Sequence, residues 1–364
     1  MDSLTQAALG AAVGHLCWNK KIGRKALALG ALGGTIPDLD VLLYPLLDDV
    51  QRLYWHRGES HSVWFVFVGA LGTGWLLSRY FKERGLPYST AALGALLIYA
   101  THILIDYFTI YGTQLLAPLS RSAFALGNFF IIDPLFTLPL LVGCLIAAFS
   151  RSTIGRRANI IGLTLSACYT LWSFGAQAAA DHTFRTALSR EGTNIIRQRT
   201  TAAPFTTFLW RHLAQTDDGF LLAYLSVFDP PGKNIQFYHI PRRPELVEEI
   251  SESRTFAVIE WFSQGWWYAF EDGDNQVRVV DLRFNEIPSF RDQSYRDWDW
   301  PFVWRFDRIK PEEKSLYSVL PDVNTPLQTL GLLAERIRGG RNWYPVSAGL
   351  AVNEAASPDD SNSL

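Results

Sequence analysis

Four apolar runs in the first half of the chain decide most of what it can fold into. Ser62–Tyr80 is apolar until Arg79, and Tyr88–Ile110 holds His102 and Asp106 as its only ionisable groups besides tyrosine. Leu126–Phe149 holds Asp133, and Ala158–Ala180 holds no charge. A helix needs roughly 20 mostly apolar residues to cross a bilayer, and backbone in hydrocarbon must satisfy its own N–H and C=O groups. These runs therefore predict four spanning helices. Two shorter segments, Leu4–Trp18 and Ala26–Ile36, are rich in Ala and Gly. Gly10 and Gly14 form a small-xxx-small pair that lets helices approach closely, so a tight hairpin is expected here, spanning or re-entrant.

The second half is different in kind. Residues 1–180 hold 13 Lys+Arg against 9 Asp+Glu, and residues 181–364 hold 20 against 26. The break near Ala180 predicts two domains and a tail: a helical polytopic membrane domain over 1–180, a soluble, strand-rich α+β domain over 181–346, and a small, polar, disordered tail over 347–364. No basic tract suggests a nucleic-acid partner; the lipid bilayer is the partner expected. Cys17, Cys144 and Cys168 lie in apolar segments without CxxC spacing. They read as buried free thiols rather than a disulfide framework or a thiolate zinc site. Lys20, Lys21, Arg24 and Lys25 follow the first apolar segment instead of preceding it, unlike a cleavable signal peptide.

Orientation follows from the short loops. Loops 19–25, 79–86 and 150–157 hold ten Lys+Arg, whereas 37–61 and 111–125 hold three. The positive-inside rule puts the first set in the cytoplasm and the carboxy-terminal domain outside. On this map the notable polar residues gather at the outer face: Pro37-Asp38-Leu39-Asp40, His56-Arg57-Gly58-Glu59-Ser60-His61-Ser62, the His102/Asp106 pair and Asp133-Pro134.

His102 and Asp106 are four residues apart and share one helix face. Imidazole with carboxylate suits zinc, manganese or iron better than magnesium or calcium. His56 and His61 could supply two more nitrogens, and Asp38 and Asp40 could be ligands, bridging carboxylates or a general base. Arg57 could stabilise a developing phosphoryl charge. Each element also has a structural reading. His102 and Asp106 could neutralise one another, PDLD could be a turn and helix cap, and HRGESHS could be an interfacial loop on lipid headgroups. His182, His212 and His239 have no ligand-like spacing and read as surface or packing residues.

The blocks MDSLTQAALGAAVG, GGTIPDLD, HRGESHS, ATHILIDYFTIYGTQLLAP and FFIIDPLFTLPLL resemble the YdjM-like family of inner-membrane proteins, described as membrane-bound metal-dependent hydrolases. The resemblance covers roughly residues 1–180. It implies a divalent metal held by Asp38, Asp40, His56, His61, His102 and Asp106. Many members open with Thr-His, where this chain has Thr5-Gln6, so the number of metals is in question. The reading is a membrane-bound metal-dependent hydrolase, zinc first, acting on an ester or phosphoester at the outer face, with a lipid or envelope-linked substrate. The alternative is a non-catalytic envelope protein whose His/Asp cluster is a structural metal or ion-pair lock.

In the second domain, Phe220–Phe228, Asn234–Ile240, Trp266–Glu271, Gln276–Phe284 and Phe302–Ile309 are expected strands, and Pro244–Gln264 an expected helix. Asp272-Gly273-Asp274-Asn275 signals a hairpin turn. Trp261, Trp266, Trp267, Trp298, Trp300 and Trp304 read as core more readily than as a membrane-facing groove.

Overall fold

A computed structural model describes residues 1–150, 153–232, 234–273, 275–284, 301–309 and 326–340. The chain divides into two compact units, Met1–Gly175 with Pro204–Thr207, and Ala176–Ala203 with the residues from Phe208 onward.

The first unit is helical. Helices α1 (Ser3–Ile22) and α2 (Lys25–Thr35) form a hairpin whose contact is backbone against backbone. A Cβ on Gly10 would lie 2.4 Å from the Gly30 carbonyl, and one on Gly34 would lie 2.4 Å from the Gln6 carbonyl. Only glycine permits that approach. At Pro37 the chain leaves α2 for a 3-10 segment, Pro37–Leu46, bent 49° from it. Proline lacks the N–H that the helix needs to continue, which accounts for the break. A short helix α3 (Asp49–Trp55), opened by an Asp48/Gln51 capping box, precedes a 3-10 turn at Glu59–His61. Ser62 then caps α4 (Val63–Tyr80), and α5 (Tyr88–Tyr107) runs beside it. Helices α6 (Pro134–Phe149) and α7 (Thr153–Glu191) follow.

Among the described residues, α5 alone is long and apolar enough to cross a membrane as one helix; up to three qualify if each bent pair, α2 with Pro37–Leu46 and Asp49–His61 with α4, counts as one span. The expectation of four straight spans is corrected in two places. Helix α6 is only 16 residues because Leu126–Asp133 is loop, with the Leu126 and Phe129 amides bonded to the Tyr107 and Phe108 carbonyls. The uncharged run Ala158–Ala180 lies inside the 39-residue α7, which does not pass the same test. The thiols also differ from expectation: Cys168 is exposed, and Cys17 and Cys144 are half-buried.

The second unit is strand-rich. Strands β1 (Arg197–Ala202), β2 (Leu209–Gln215), β3 (Gly219–Ser226) and β4 (Tyr238–Pro241) form an antiparallel sheet in that order. Strands β5 (Trp267–Glu271), β6 (Gln276–Asp281) and β7 (Val303–Asp307) form a second. One core joins Leu213, Phe220 and Leu222 to Trp266, Tyr268 and Val280, while Trp210 and Leu221 bury the other face of the first sheet with Phe184 and Leu188. Strand β2 is covered on both faces, which hides the alternation by which strands are recognised. The sequence pattern marks neither β2 nor β1, nor α9 (Pro326–Ile337).

The expected helix Pro244–Gln264 is broken into a 3-10 turn, Pro244–Ile250, and α8 (Arg254–Ser263), capped by Ser253. The expected strand Asn234–Ile240 is shorter, at Tyr238–Pro241. Trp266, Trp267 and Trp304 are buried, as core residues should be, and Trp261 is half-buried. Trp298, Trp300, Asp274 and the tail from 347 lie outside the described residues.

Candidate metal centre

Four residues from three places in the sequence converge in the helical unit. Asp38, His61, His102 and Asp106 each offer one ligand atom, and these atoms all lie within 4.8 Å of one another. His61 Nε2 lies 3.3 Å from His102 Nε2, 3.3 Å from Asp38 Oδ1 and 3.2 Å from Asp106 Oδ2. His102 Nε2 lies 3.6 Å from both carboxylate oxygens. A four-coordinate ion with bonds of roughly 2.0–2.1 Å has ligand-to-ligand edges of about 3.3 Å. The five edges that involve an imidazole nitrogen, 3.2–3.6 Å, are close to that length.

Local structure explains how each ligand arrives. Asp38 sits in the first turn of the 3-10 segment after Pro37. His61 ends the 3-10 turn that Ser62 converts into α4. His102 and Asp106 stand one turn apart on the inner face of α5.

The hydrogen bonds around the cluster orient its members and leave one inner oxygen without a partner. His102 Nδ1 is 2.7 Å from the Gly34 carbonyl, which can only accept, so Nδ1 carries the proton and Nε2 keeps its lone pair. His61 Nδ1 is 2.9 Å from Ser60 Oγ. Asp106 Oδ1 takes the Met1 amino group, Arg57 Nη2 at 3.1 Å and Gln6 Nε2 at 3.0 Å. Asp106 Oδ2 is buried and accepts no hydrogen bond. A buried anionic oxygen without a donor is expensive, and a cation at the centre of these four atoms would satisfy it.

Asp40 and His56 stand outside that group. Asp40 faces His56 Nδ1 with both oxygens at 3.2 Å, and its Oδ2 accepts from the Arg57 amide at 3.0 Å and from Ser60 Oγ at 3.4 Å. It therefore braces the loop that presents His61. Arg57 is buried, with φ +56°, its guanidinium on Asp106 and Thr109 and over the Tyr111 ring at 4.9 Å. In this position it is paired with Asp106. The loop after α5 ties the arrangement down: Gln114 N donates to the Arg57 carbonyl at 3.0 Å, and Val63 N to the Leu115 carbonyl at 2.9 Å. Asp133 lies apart from the cluster. It caps α6 through the Leu135 and Phe136 amides and accepts from Tyr169 OH at 3.0 Å.

Residues 1–180 match the model of the YdjM inner membrane protein family. The amino-terminal half of the chain belongs to that family. The chain is also similar to the "Uncharacterized protein YfhP" of Bacillus subtilis (strain 168), 28% identical over 146 residues, which are 37% of this chain and 42% of that protein. The chain thus spans about two-fifths of that relative's length. No solved structure matches.

Gln6, singled out in the sequence, falls inside the site. Its Nε2 donates to Asp106 Oδ1 and, at 3.3 Å, to the His102 carbonyl, and its Oε1 is buried without a partner. Gln6 therefore touches two of the four residues of the cluster. The Met1 amino group and the Gly34 carbonyl were invisible to motif reading, since neither is a side chain. His182 is exposed, His212 is buried between Thr200 Oγ1 and Gln198 Oε1, and His239 faces Asp218; none belongs to the centre.

Proposed function

We propose that this protein is a membrane-bound metal-dependent hydrolase of esters or phosphoesters, working at the outer face of the inner membrane. The observation that carries the reading is the Asp38–His61–His102–Asp106 tetrad, in which Asp106 Oδ2 is buried without a hydrogen-bond partner while the Gly34 carbonyl orients His102 from behind. Two imidazoles with carboxylates favour zinc, with manganese or iron as alternatives.

His61, His102 and Asp106 are at most 1% exposed, whereas the Asp38 side chain is 21% exposed. The three buried groups would hold the ion, and Asp38 would mark the open side, as ligand or as general base. A divalent ion bound there supplies Lewis acidity, which brings the pKa of water to about 7. Asp38 takes a proton as the water oxygen bonds to carbon or phosphorus. The ester C–O or P–O bond then breaks, and the alcohol departs with that proton. Arg57 fixes Asp106, and Asp40 fixes the His56–His61 loop.

The outer location rests on the loop charges, and a multi-pass topology with the carboxy-terminal domain outside follows from the same count. One observation favours a second reading. Asp106 Oδ1 already has two cationic partners, the Met1 amine and Arg57, as a structural ion-pair lock would require.

Plasma mass spectrometry on the detergent-purified full chain separates the two readings, with the His61→Ala/His102→Ala variant alongside. Near-stoichiometric metal in the wild type, lost in a still-folded variant, supports the hydrolase and directs an ester and phosphoester screen. Absence of metal after zinc or manganese is added back would leave the ion-pair lock.

A further inference from the structure

Beside the metal centre runs an apolar groove between α2, α4 and α5. Its walls include Trp18, Leu32, Ile36, Leu77, Ile98 and Tyr99, and it is a narrow groove open to its surroundings. The hydroxyls of Thr73 and Tyr99 bond one another at 2.8 Å and offer little to a polar guest. Water gains nothing in such a place.

We propose that this groove holds an acyl chain of a membrane lipid, with the lipid's ester or phosphoester end beside Asp38. As a statement about substrate class, this rests on the hydrolase reading. Three observations carry it. First, groove and centre share their elements. Ile98 stands one turn before His102 on the same helix face, Gly33 of the groove wall precedes the Gly34 carbonyl that holds the His102 ring, and Ile36 precedes Pro37-Asp38.

Second, the approach is apolar. The segment that carries Asp38 also carries Leu39, Leu42, Leu43 and Leu46, exposed at between 46% and 81%. Third, the wall helix α5 is long and apolar enough to cross a membrane, and α4 belongs to a bent pair that passes the same test. The medium around the groove is then acyl chain. A water-soluble ester would have to cross those leucines to reach Asp38, whereas a lipid carries its reacting bond at the right depth.

The test uses the full chain reconstituted in vesicles of phosphatidylethanolamine and phosphatidylglycerol. Two photoreactive phosphatidylglycerols are added in turn, one with a diazirine at the end of an acyl chain and one with it at the glycerol. The tail probe should label the peptides holding Leu32, Ile36 and Ile98 in preference to the outward α4 residues Phe67, Val68 and Leu71. The glycerol probe should label Pro37–Leu46. Leu32 is 57% exposed at the groove rim, so Leu32→Trp fills the groove without entering the core. It should lower groove labelling about tenfold, as losing roughly two methylenes of burial would. Labelling of α4 should stay constant and serves as the folding control. Equal labelling of groove and outward α4 face, or groove labelling unchanged in Leu32→Trp, overturns the proposal. Neither probe needs metal or turnover. Both labels without hydrolysis of any vesicle lipid would leave the lipid site standing and remove the hydrolase reading instead.

Discussion

His61 and His102 face each other with their Nε2 atoms 3.3 Å apart, and each ring is held from behind, His102 by the Gly34 carbonyl and His61 by Ser60. Two imidazole nitrogens that close, with a carboxylate oxygen on either side, form a shell turned inward. The residues behind the shell should then matter for affinity nearly as much as the ligands do.

Ser60→Ala tests that relationship. It removes the hydroxyl that orients His61 and touches none of the other ligand atoms. Zinc affinity, measured by competition with a chromogenic chelator, should fall by about 10–100-fold, the usual range for such outer partners. An unchanged affinity would mean that the ring is held by packing alone.

Asp38 and Asp40 should separate by phenotype. Asp38→Asn removes a ligand and leaves the metal-free protein's thermal midpoint near that of the wild type, because Asp38 is the exposed corner of the tetrad. Asp40→Asn breaks the brace on His56 and the Arg57 amide, so it should lower the midpoint and still reach full stoichiometry in excess metal. Identical behaviour of the two variants would refute the division of roles.

The glycine contact of α1 and α2 predicts a link between packing and metal. Gly34→Ala places a Cβ 2.4 Å from the Gln6 carbonyl and forces the hairpin apart. Overpacking of this kind costs about 1–3 kcal/mol. Because the Gly34 carbonyl also holds His102, metal binding should weaken in the same variant. Gly72→Ala, where an added Cβ meets nothing within 4 Å, is the control: it should not destabilise the fold and should leave metal binding unchanged.

In the second unit, burial pushes the His212 imidazole down to about 4 from its ordinary 6.5. The unfolded chain then binds more protons than the folded one between those values. Stability from this group is complete above about pH 6.5 and falls as pH drops toward 4, by roughly 3 kcal/mol in all. His212→Gln should flatten that part of the thermal midpoint against pH. Parallel wild-type and variant profiles would show that the ring does not titrate on unfolding.

Much of the centre was legible in the chain. Helical spacing pairs His102 with Asp106, and the membrane side they are expected to share groups PDLD and HRGESHS with them. What the motifs could not do was sort their members. Asp38 and Asp40 are two residues apart in one segment, as are Glu59 and His61 in another, and spacing treats neighbours alike. The bend after Pro37 turns Asp38 toward the imidazoles and Asp40 toward His56.

The fold divides the same way. Apolar runs and a composition break determined a helical first half and a strand-rich second half, because burying apolar surface and satisfying backbone are demands that each stretch of sequence must meet locally. Tertiary structure alone decided that α6 starts only at Pro134, that β2 is covered on both faces, and that Arg57 rests on Asp106 rather than facing outward. Those outcomes depend on which surfaces meet across long stretches of chain. A motif records the residue types a site needs; only packing assigns each atom its neighbour.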